Sequence, residues 1–362
     1  MTPQFPLGPR RERTALLFPA LALAAAFFAG CSSTPAPTTP PDSPTPLAAT
    51  QPPPGAGAPA DGSVTGTAVT MPDAPGLPPE VVPSRKPDRK LKVGVSLLTR
   101  VHDFYKDMEA AMREEAEKQG ITLLIQAAEG DAAVEQRQVQ AMLSQGVDAL
   151  ILCPVNSQGS GSTVRLANDA KVPVFTADIA SKSGEVVCHV ASNNEQGGEL
   201  VGEFLAKKLN GQGEIAIVDF PTVTSVQERV RGFEKAIARY PGIKVVARPA
   251  PDMAVQAKVF PLAQDLLQSR PQLKGIFAIN DDSALGVVQA ASGPEWKDLV
   301  VVGFDGTTRA VNAIRTGGVL KADAAQFPRV IGRAVVSAVA KHSLGEPVPR
   351  SVPIPTGLIS GP

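Results

Sequence analysis

The sequence has few of the residues on which enzymes most often rely for nucleophilic or metal chemistry. Its 362 residues include three cysteines and three histidines, and it contains no Gly-x-Ser-x-Gly, P-loop, His-Glu-x-x-His or Cys-x-x-Cys motif. His102, His189 and His342 are too scattered to predict a metal site. Residues 211–216 fit a dinucleotide-binding pattern of glycines, but they precede a predicted strand, so we interpret them as a turn. We therefore expect no enzymatic activity, no cofactor and no bound metal.

The sequence also lacks an excess of either charge. The 35 lysines and arginines balance 35 aspartates and glutamates, which gives a formal net charge of +0. A nucleic-acid-binding protein needs a basic surface to neutralise phosphates, so we expect no nucleic-acid partner. A hydrophobic content of 43% is ordinary for soluble globular folding, and the length allows two domains.

The N-terminus has the features of an export signal. Three arginines within the first 13 residues precede an apolar run from Ala15 to Phe28, and small residues follow before Cys31. The run is shorter than the roughly 20 apolar residues of a spanning helix, so we predict a cleaved signal over residues 1–30. Residues 28–31 resemble a bacterial lipobox, although phenylalanine replaces the usual leucine, and they predict a lipid anchor at Cys31. The alternative is a plain secretory signal with an incidental cysteine.

Residues 31–90 have the composition of a tether. Proline, threonine, alanine, glycine and serine dominate this stretch. Too few apolar side chains are present to offset the entropy of an ordered chain. We therefore predict an extended or disordered linker between the anchor and the folded part.

After residue 90, short apolar runs alternate with amphipathic stretches of helical period. This alternation is typical of βαβ units. Five strands are predicted as far as residue 192 and five more after it, so each half has the size of a doubly wound parallel sheet with helices on both faces. A last helix from about Arg329 to Ser343 and the segment from Ser351 to Ile359 must pack onto these lobes. The predicted fold class is α/β, with two such lobes.

Two cysteines remain in the predicted folded part, Cys153 and Cys188. Both fall on predicted strands, and another strand is expected between them. That arrangement separates their Cα atoms beyond the roughly 7 Å that a disulfide tolerates. We expect two buried free thiols.

Polar residues follow the predicted strands of both lobes. Asp178 comes after one strand of the first lobe, and Asn280 and Asp305 come after two strands of the second. Ligands of open α/β sheets bind at these carboxyl ends. Carboxylates and an amide suit vicinal hydroxyls, and Phe104 and Tyr105 could cover the apolar face of a ring. The alternative for each polar residue is helix capping.

Three sequence blocks resemble the ribose-binding protein family, the type I periplasmic binding proteins that serve sugar ABC transporters. They are Gly184–Asn194, Phe277–Gly286 and Val301–Thr307. The resemblance extends from about Lys92 to the C-terminus. It implies a ligand cleft between two lobes, a hinge of three chain segments, closure on binding and an ABC permease as partner. We expect a monomer, with one lobe formed by 91–192 and 327–356 and the other by 193–326 and 357–362.

The resemblance also implies roles for individual residues. Positions with the family's pocket residue types, or nearly so, are Ser96, Phe104, Tyr105, Asp178, Arg229, Asn280, Asp305 and Gln326. For Arg229 the alternative is a solvated helical side chain, and for Gln326 it is a plain hinge residue.

Four positions depart from the family pattern. Cys153 stands where an asparagine is expected, Ile179 where an arginine follows the aspartate, and Met253 near an expected aromatic. His102 stands where an asparagine is expected, in a longer loop, and it could either bind ligand or cap the following helix. Each lost charged hydrogen bond is worth roughly 1.5 to 3 kcal/mol, which disfavours ribose itself. Deoxy sugars, polyols and furanone-like signals fit this lining better.

Two other functions use the same fold. Sugar-responsive repressors need a helix-turn-helix before the lobes, and a signal and a tether occupy that place here. A sensory lipoprotein that presents its ligand to a chemoreceptor or kinase stays open as an alternative to transport.

Overall fold

The computed structural model describes residues 69–361. The predicted export signal over residues 1–30, the predicted lipidation site Cys31 and the start of the predicted tether lie outside this range. Between residues 69 and 361, no helix is both long enough and apolar enough to cross a membrane.

Strands and helices alternate along the described chain. The first series is β1 (Leu91–Leu97), α1 (Asp103–Gln119), β2 (Ile121–Ala127), α2 (Ala132–Ser144), β3 (Ala149–Leu152), α3 (Gly161–Asp169), β4 (Val174–Ala177) and β5 (Cys188–Ser192). The second series is α4 (Asn194–Lys208), β6 (Gln212–Val218), α5 (Thr224–Ile237), β7 (Gly242–Ala247), α6 (Gln256–Ser269), β8 (Gly275–Ala278), α7 (Asp281–Ala290), β9 (Val300–Asp305), α8 (Thr308–Arg315) and β10 (Leu320–Ala325). The chain ends with α9 (Pro328–Ser343), β11 (Ser351–Ile354) and β12 (Gly357–Ser360).

Within residues 69–361 the strands form two six-stranded sheets, and each sheet defines a lobe. The first has the order β11-β5-β4-β3-β1-β2 and the second β12-β10-β9-β8-β6-β7. All neighbours are parallel except β12, which runs antiparallel to β10. The α/β fold of two parallel-dominated lobes is confirmed. Five strands per lobe were predicted, and the C-terminal segment supplies the sixth to each sheet.

The chain passes between the lobes at three places. It leaves the first sheet after β5, returns after β10, and crosses again between β11 and β12. Helix α9 packs against α1, β4 and β5, whereas α4 packs against α5, β9 and β10. The carboxyl ends of both parallel sheets therefore lie next to the same crossing segments.

Both faces of each sheet are covered. In the first lobe, α1 and α9 pack on one face, and the residues of α2 and α3 form a separate apolar cluster on the other. The short central strands are buried throughout, as in Ala149–Leu152 and Gly275–Ala278. Continuous apolar strands are typical of parallel sheets buried on both faces. Burial of each large aliphatic side chain stabilises the fold by about 1.5 to 3 kcal/mol.

Helix α1 forms as its sequence pattern predicts. It begins at Asp103 and ends at Gln119, and the following Gly120 has a φ of 69°, in the left-handed region that favours glycine. Its buried residues include Phe104, Met108 and Met112, at helical spacing. This burial directs the first turn of α1 toward the space between the lobes.

The last part of the predicted tether is not a free linker. The segment 69–84, called the strap here, contacts both lobes. Thr70 N donates to Ser360 O of β12 at 3.1 Å, whereas Val81 is fully buried in the core of the first lobe. Lys341 Nζ of α9 also donates to the Glu80 carbonyl at 2.8 Å. The composition of this segment predicted a free linker, because composition does not reveal that a few apolar side chains are enough to dock an otherwise proline-rich segment.

The two cysteines of the described residues are buried and free. Cys153 follows β3 and Cys188 lies on β5, with β4 between them in the sheet. The prediction of two unpaired thiols is confirmed, and its reason was correct.

Candidate functional site

A cavity of about 90 Å³ lies between the lobes at the carboxyl ends of their strands. Its lining includes ten of the twelve residues selected from the sequence, namely His102, Phe104, Tyr105, Asp178, Ile179, Arg229, Met253, Asn280, Asp305 and Gln326. The first five come from the first lobe, the next four from the second, and Gln326 from the crossing between β10 and α9.

The structure places the other two residues, Ser96 and Cys153, outside the lining. Both side chains are fully buried, and Cys153 N donates to Ser96 O at 2.8 Å. Cys153 packs in the apolar cluster that also contains Phe104 and Tyr105, and burial raises the pKa of its thiol well above the usual range. Both side chains are therefore covered by other residues and do not reach the cavity.

Arg229 is a buried and firmly held cation, not a solvated helical side chain. Its Nε donates to Asn194 Oδ1 at 3.0 Å, and its Nη1 donates to Ile279 O at 2.7 Å and to Asp305 Oδ1 at 3.3 Å. The guanidinium carbon lies 4.0 Å from the centre of the Phe304 ring. Nη2 makes no hydrogen bond to another described residue, so a planar donor faces the cavity.

Asp305 is the centre of the polar part of the site. Its Oδ1 accepts from Gln326 Nε2 at 2.6 Å as well as from Arg229, which leaves Oδ2 for a ligand. Burial raises the pKa of Asp305 to about 7, while Arg229 opposes this and Asp281 adds to it. The backbone of Asp305 has a φ of 132°, a strained value of the kind that clusters at ligand sites.

Asp178 faces the cavity from the first lobe. Its Oδ2 accepts from the Tyr105 hydroxyl at 2.6 Å, and its Oδ1 is buried without a partner among the described residues. Burial raises the pKa of Asp178, and the nearby Arg229 opposes this rise. The pKa of Tyr105 is raised well above its usual range, first by burial and then by Asp178. Tyr105 therefore stays a donor, and Asp178 Oδ1 is a free acceptor.

Asn280 caps a helix and lines the cavity at the same time. Its Oδ1 accepts from Ser283 N at 2.9 Å, and its Nδ2 donates to Ala254 O at 3.0 Å. These two bonds fix the amide, and one of its N–H groups is left for a ligand. Capping and binding were treated as alternatives, and the geometry allows both.

His102 links the two lobes. It occupies the N-cap position of α1 but makes no capping hydrogen bond with its side chain. Its Nδ1 instead contacts the carboxylate of Asp282 on α7, which Arg309 also approaches at 3.3 Å. His102 therefore contributes to a contact across the mouth of the cleft.

More contacts join the lobes on the other side of the cavity. Thr224 N donates to Ser157 Oγ at 2.9 Å, and Ala180 N donates to Thr224 Oγ1 at 3.0 Å. Lys182 Nζ donates to Gln227 Oε1 at 3.1 Å. With the contact of His102, these bonds hold the lobes in a closed arrangement.

Apart from Ile179, the sequence reasoning missed the apolar residues that line the cavity. Ile179 of the first lobe packs in one cluster with residues of the second lobe. The cavity-lining members of that cluster are Leu98, Ile179, Phe220, Val223, Val226, Ala254 and Ile279. In the sequence such residues are indistinguishable from ordinary core. The replacement of an expected arginine by Ile179 was the one available signal.

Comparisons with known proteins agree with this architecture. A family model described as a periplasmic binding protein domain matches residues 93–347. The ribose import binding protein of Salmonella typhimurium is 32% identical over 268 residues, which cover 74% of this chain and 90% of that protein. The xylitol-binding protein of Mycolicibacterium smegmatis is 27% identical, over 62% of this chain and 65% of that protein.

A solved structure gives the same result. An ABC transporter solute-binding protein from Mycobacterium smegmatis, with bound glycerol, has a TM-score of 0.72 and 34% identity. The match covers 75% of this chain and 94% of that one. These relatives are binding proteins and not enzymes, and the family is periplasmic. The chain belongs to the ribose-binding group of type I periplasmic sugar-binding proteins of ABC transporters.

Proposed function

We propose that this protein captures a short polyol or a deoxy sugar between its lobes and delivers it to an ABC permease. The observation that best supports this specificity is the division of the cavity lining. Asp178, Arg229, Asn280, Asp305 and Gln326 supply buried polar groups, whereas seven other lining residues belong to one apolar cluster. A ligand with adjacent hydroxyls at one end and a less polar other end satisfies both parts.

The size of the cavity agrees with a small solute. The cavity between the lobes has a volume of about 90 Å³. The relatives that bind ribose or xylitol, and the one with bound glycerol, support a solute of three to five carbons.

The chemistry of the first lobe argues against ribose as the preferred ligand. Ile179 lines the cavity where the family pattern has an arginine, and it is 2% exposed. A ribose hydroxyl buried against this alkyl side chain would lose a charged hydrogen bond worth roughly 1.5 to 3 kcal/mol. The corresponding carbon of a deoxy sugar loses nothing.

Ligand identity can be tested directly. Native mass spectrometry of freshly purified protein would identify a co-purifying solute by its mass. Calorimetry would then compare glycerol, xylitol, D-ribose and 2-deoxy-D-ribose. We expect one site and at least one short polyol or deoxy sugar that binds about tenfold more tightly than D-ribose. Tightest binding of D-ribose would contradict the proposed specificity.

Site variants test the position of the ligand. Asp305→Ala should abolish the heat of binding, because it removes a ligand acceptor and the partner of Arg229. Asp265→Ala is the matched control, since Asp265 is exposed on α6. Retention of full affinity by Asp305→Ala would place the ligand elsewhere.

Anchoring and delivery need separate tests. The lipobox-like residues before Cys31 support a lipid anchor, and Cys31→Ser should release the protein from the membrane fraction. Membrane partners captured with and without ligand should include a permease. Exclusive recovery of a chemoreceptor or kinase would favour the sensory function.

A further inference from the structure

Two more carboxyl groups lie behind Asp305, away from the cavity. Asp281 begins α7 and is 3% exposed, and Asp323 lies on β10 and is fully buried. Neither lines the cavity, and the proposed binding function does not use them. A buried pair of acids without a stated role needs a physical explanation.

Each acid uses one oxygen to hold the turn that follows Asp305. Thr307 N donates to Asp281 Oδ2 at 2.6 Å, and Gly306 N donates to Asp323 Oδ1 at 3.0 Å. Asp305 and Gly306 both have positive φ values, 132° and 75°. A turn with this backbone keeps its shape only where its surroundings hold it.

The remaining oxygens of the two acids face each other. Asp281 Oδ1 and Asp323 Oδ2 are both buried, and neither has a hydrogen-bond partner among the described residues. Both lie beside Gly303, where an added Cβ would be 2.3 Å from Asp323 Oδ2 and 3.4 Å from Asp281 Oδ1. Two ionised carboxylate oxygens in this position repel each other, whereas one proton shared between them would give both oxygens a hydrogen bond.

We propose that Asp281 and Asp323 share one proton and that this pair positions the turn 305–307 so that Asp305 faces the ligand. Asp281 and Asp323 are then positioning residues, which act through Asp305 and do not touch the solute. The role in binding rests on the proposed function of the cavity. The shared proton itself does not depend on it.

Within the described residues, no cation forms an ion pair with Asp281 or Asp323. The charged or titratable groups that line the same small pocket as Asp281 are His102, Asp103, Asp282, Asp305 and Arg309. Arg229 is bonded to Asp305, and Arg309 and His102 contact Asp282. Burial and the neighbouring carboxylates raise the pKa of both Asp281 and Asp323. These surroundings favour the form of the pair that carries one proton.

The first test uses the protein without ligand. Asp323→Asn keeps the shape of the pair, because the amide can donate to Asp281 Oδ1 and accept from Gly306 N, but it removes the proton. A proton held only by the native state raises the unfolding equilibrium constant tenfold per pH unit. Between pH 5 and pH 7, above the usual aspartate pKa of about 3.9, wild-type stability should fall relative to Asp323→Asn at this rate.

The controls separate a proton from packing. Ser283→Ala removes a buried polar atom from α7 without a titratable group, so it should shift stability equally at every pH. Asp281→Asn should reproduce the slope of Asp323→Asn and replaces it if that variant does not fold. If the free energy of unfolding changes with pH as steeply in Asp323→Asn and Asp281→Asn as in the wild type, the shared proton is excluded.

The second test measures positioning. Asp323→Leu leaves Gly306 N without its acceptor, so amide hydrogen exchange at Gly306 and Thr307 should accelerate at least tenfold, while Asp323→Asn keeps wild-type rates. Unchanged exchange in Asp323→Leu would overturn the positioning role. Affinity for xylitol should fall at least tenfold in Asp323→Leu alone. Absence of xylitol binding by the wild-type protein would count against the proposed ligand, and the two ligand-free tests would still decide this inference.

Discussion

Arg229→Met provides the sharpest test of how the polar site works. The substitution keeps much of the side-chain volume over Phe304 but removes the only cation bonded to Asp305 within residues 69–361. Removal of one partner from a buried ion pair typically costs about 3 to 5 kcal/mol. Asp305 can avoid part of this cost by taking up a proton, because its pKa is already raised to about 7.

The expected loss of stability therefore depends on pH. Without Arg229 the pKa of Asp305 rises further, so near pH 5 the carboxyl is neutral and little charge is left uncompensated. At pH 8 the same carboxyl must either ionise without a partner or stay protonated, and both states cost free energy. Denaturant unfolding should show a loss of about 3 kcal/mol or more at pH 8 and a clearly smaller one at pH 5.

Ligand binding should weaken in the same variant. Loss of the Nη2 donors removes charged hydrogen bonds worth roughly 1.5 to 3 kcal/mol, which corresponds to about a 10- to 150-fold increase in Kd. Arg231→Met on the same helix is the control, because Arg231 is 58% exposed and pairs with Glu195 at the surface. A stability loss that is the same at both pH values would refute the compensation of Asp305 by Arg229.

Three further predictions concern closure and the strap. Gly130→Ala should weaken binding, because Gly130 has a φ of 80° and an added Cβ would lie 2.2 Å from Met253 Cε across the cleft. Met253→Ala should restore the part of the calorimetric affinity that is lost through this contact, and strictly additive effects would contradict the contact. His102→Gln should accelerate ligand release in stopped-flow measurements, through loss of the contact with Asp282, and an unchanged release rate would exclude a role in closure. Gly357→Ala places a Cβ 2.3 Å from Pro72, so limited proteolysis should cut the strap faster than in the unobstructed control Gly318→Ala.

The strands and the main helices could be predicted because their patterns are local. Helix α1 ends just before Gly120, the residue type that most often follows a helix end. Helix α4 begins at Asn194, with Asn193 as its cap. Gly198 lies inside this helix. It allows close packing, because a Cβ there would be 2.0 Å from the Arg229 carbonyl oxygen.

The strap could not be predicted from composition, since its order depends on tertiary contacts. Val81 is one apolar residue in a proline-rich stretch, yet it is fully buried between elements that the sequence places far away. The same limit applied to Ser96 and Cys153. Their positions near strand ends are local information, but their burial depends on residues that are distant in the sequence.

The polar residues of the cavity could be predicted from the sequence, whereas most of its apolar residues could not. Asp178 and Asp305 follow buried strands, where a carboxylate is conspicuous, and both have positive φ values that an ordinary capping residue does not need. Ile179 and Val226 look like core residues, and they do pack in a core cluster. That cluster contains residues of both lobes, so it is complete only when the lobes meet. In the proposed function, discrimination against fully hydroxylated sugars rests on this apolar surface, of which the sequence indicated only Ile179.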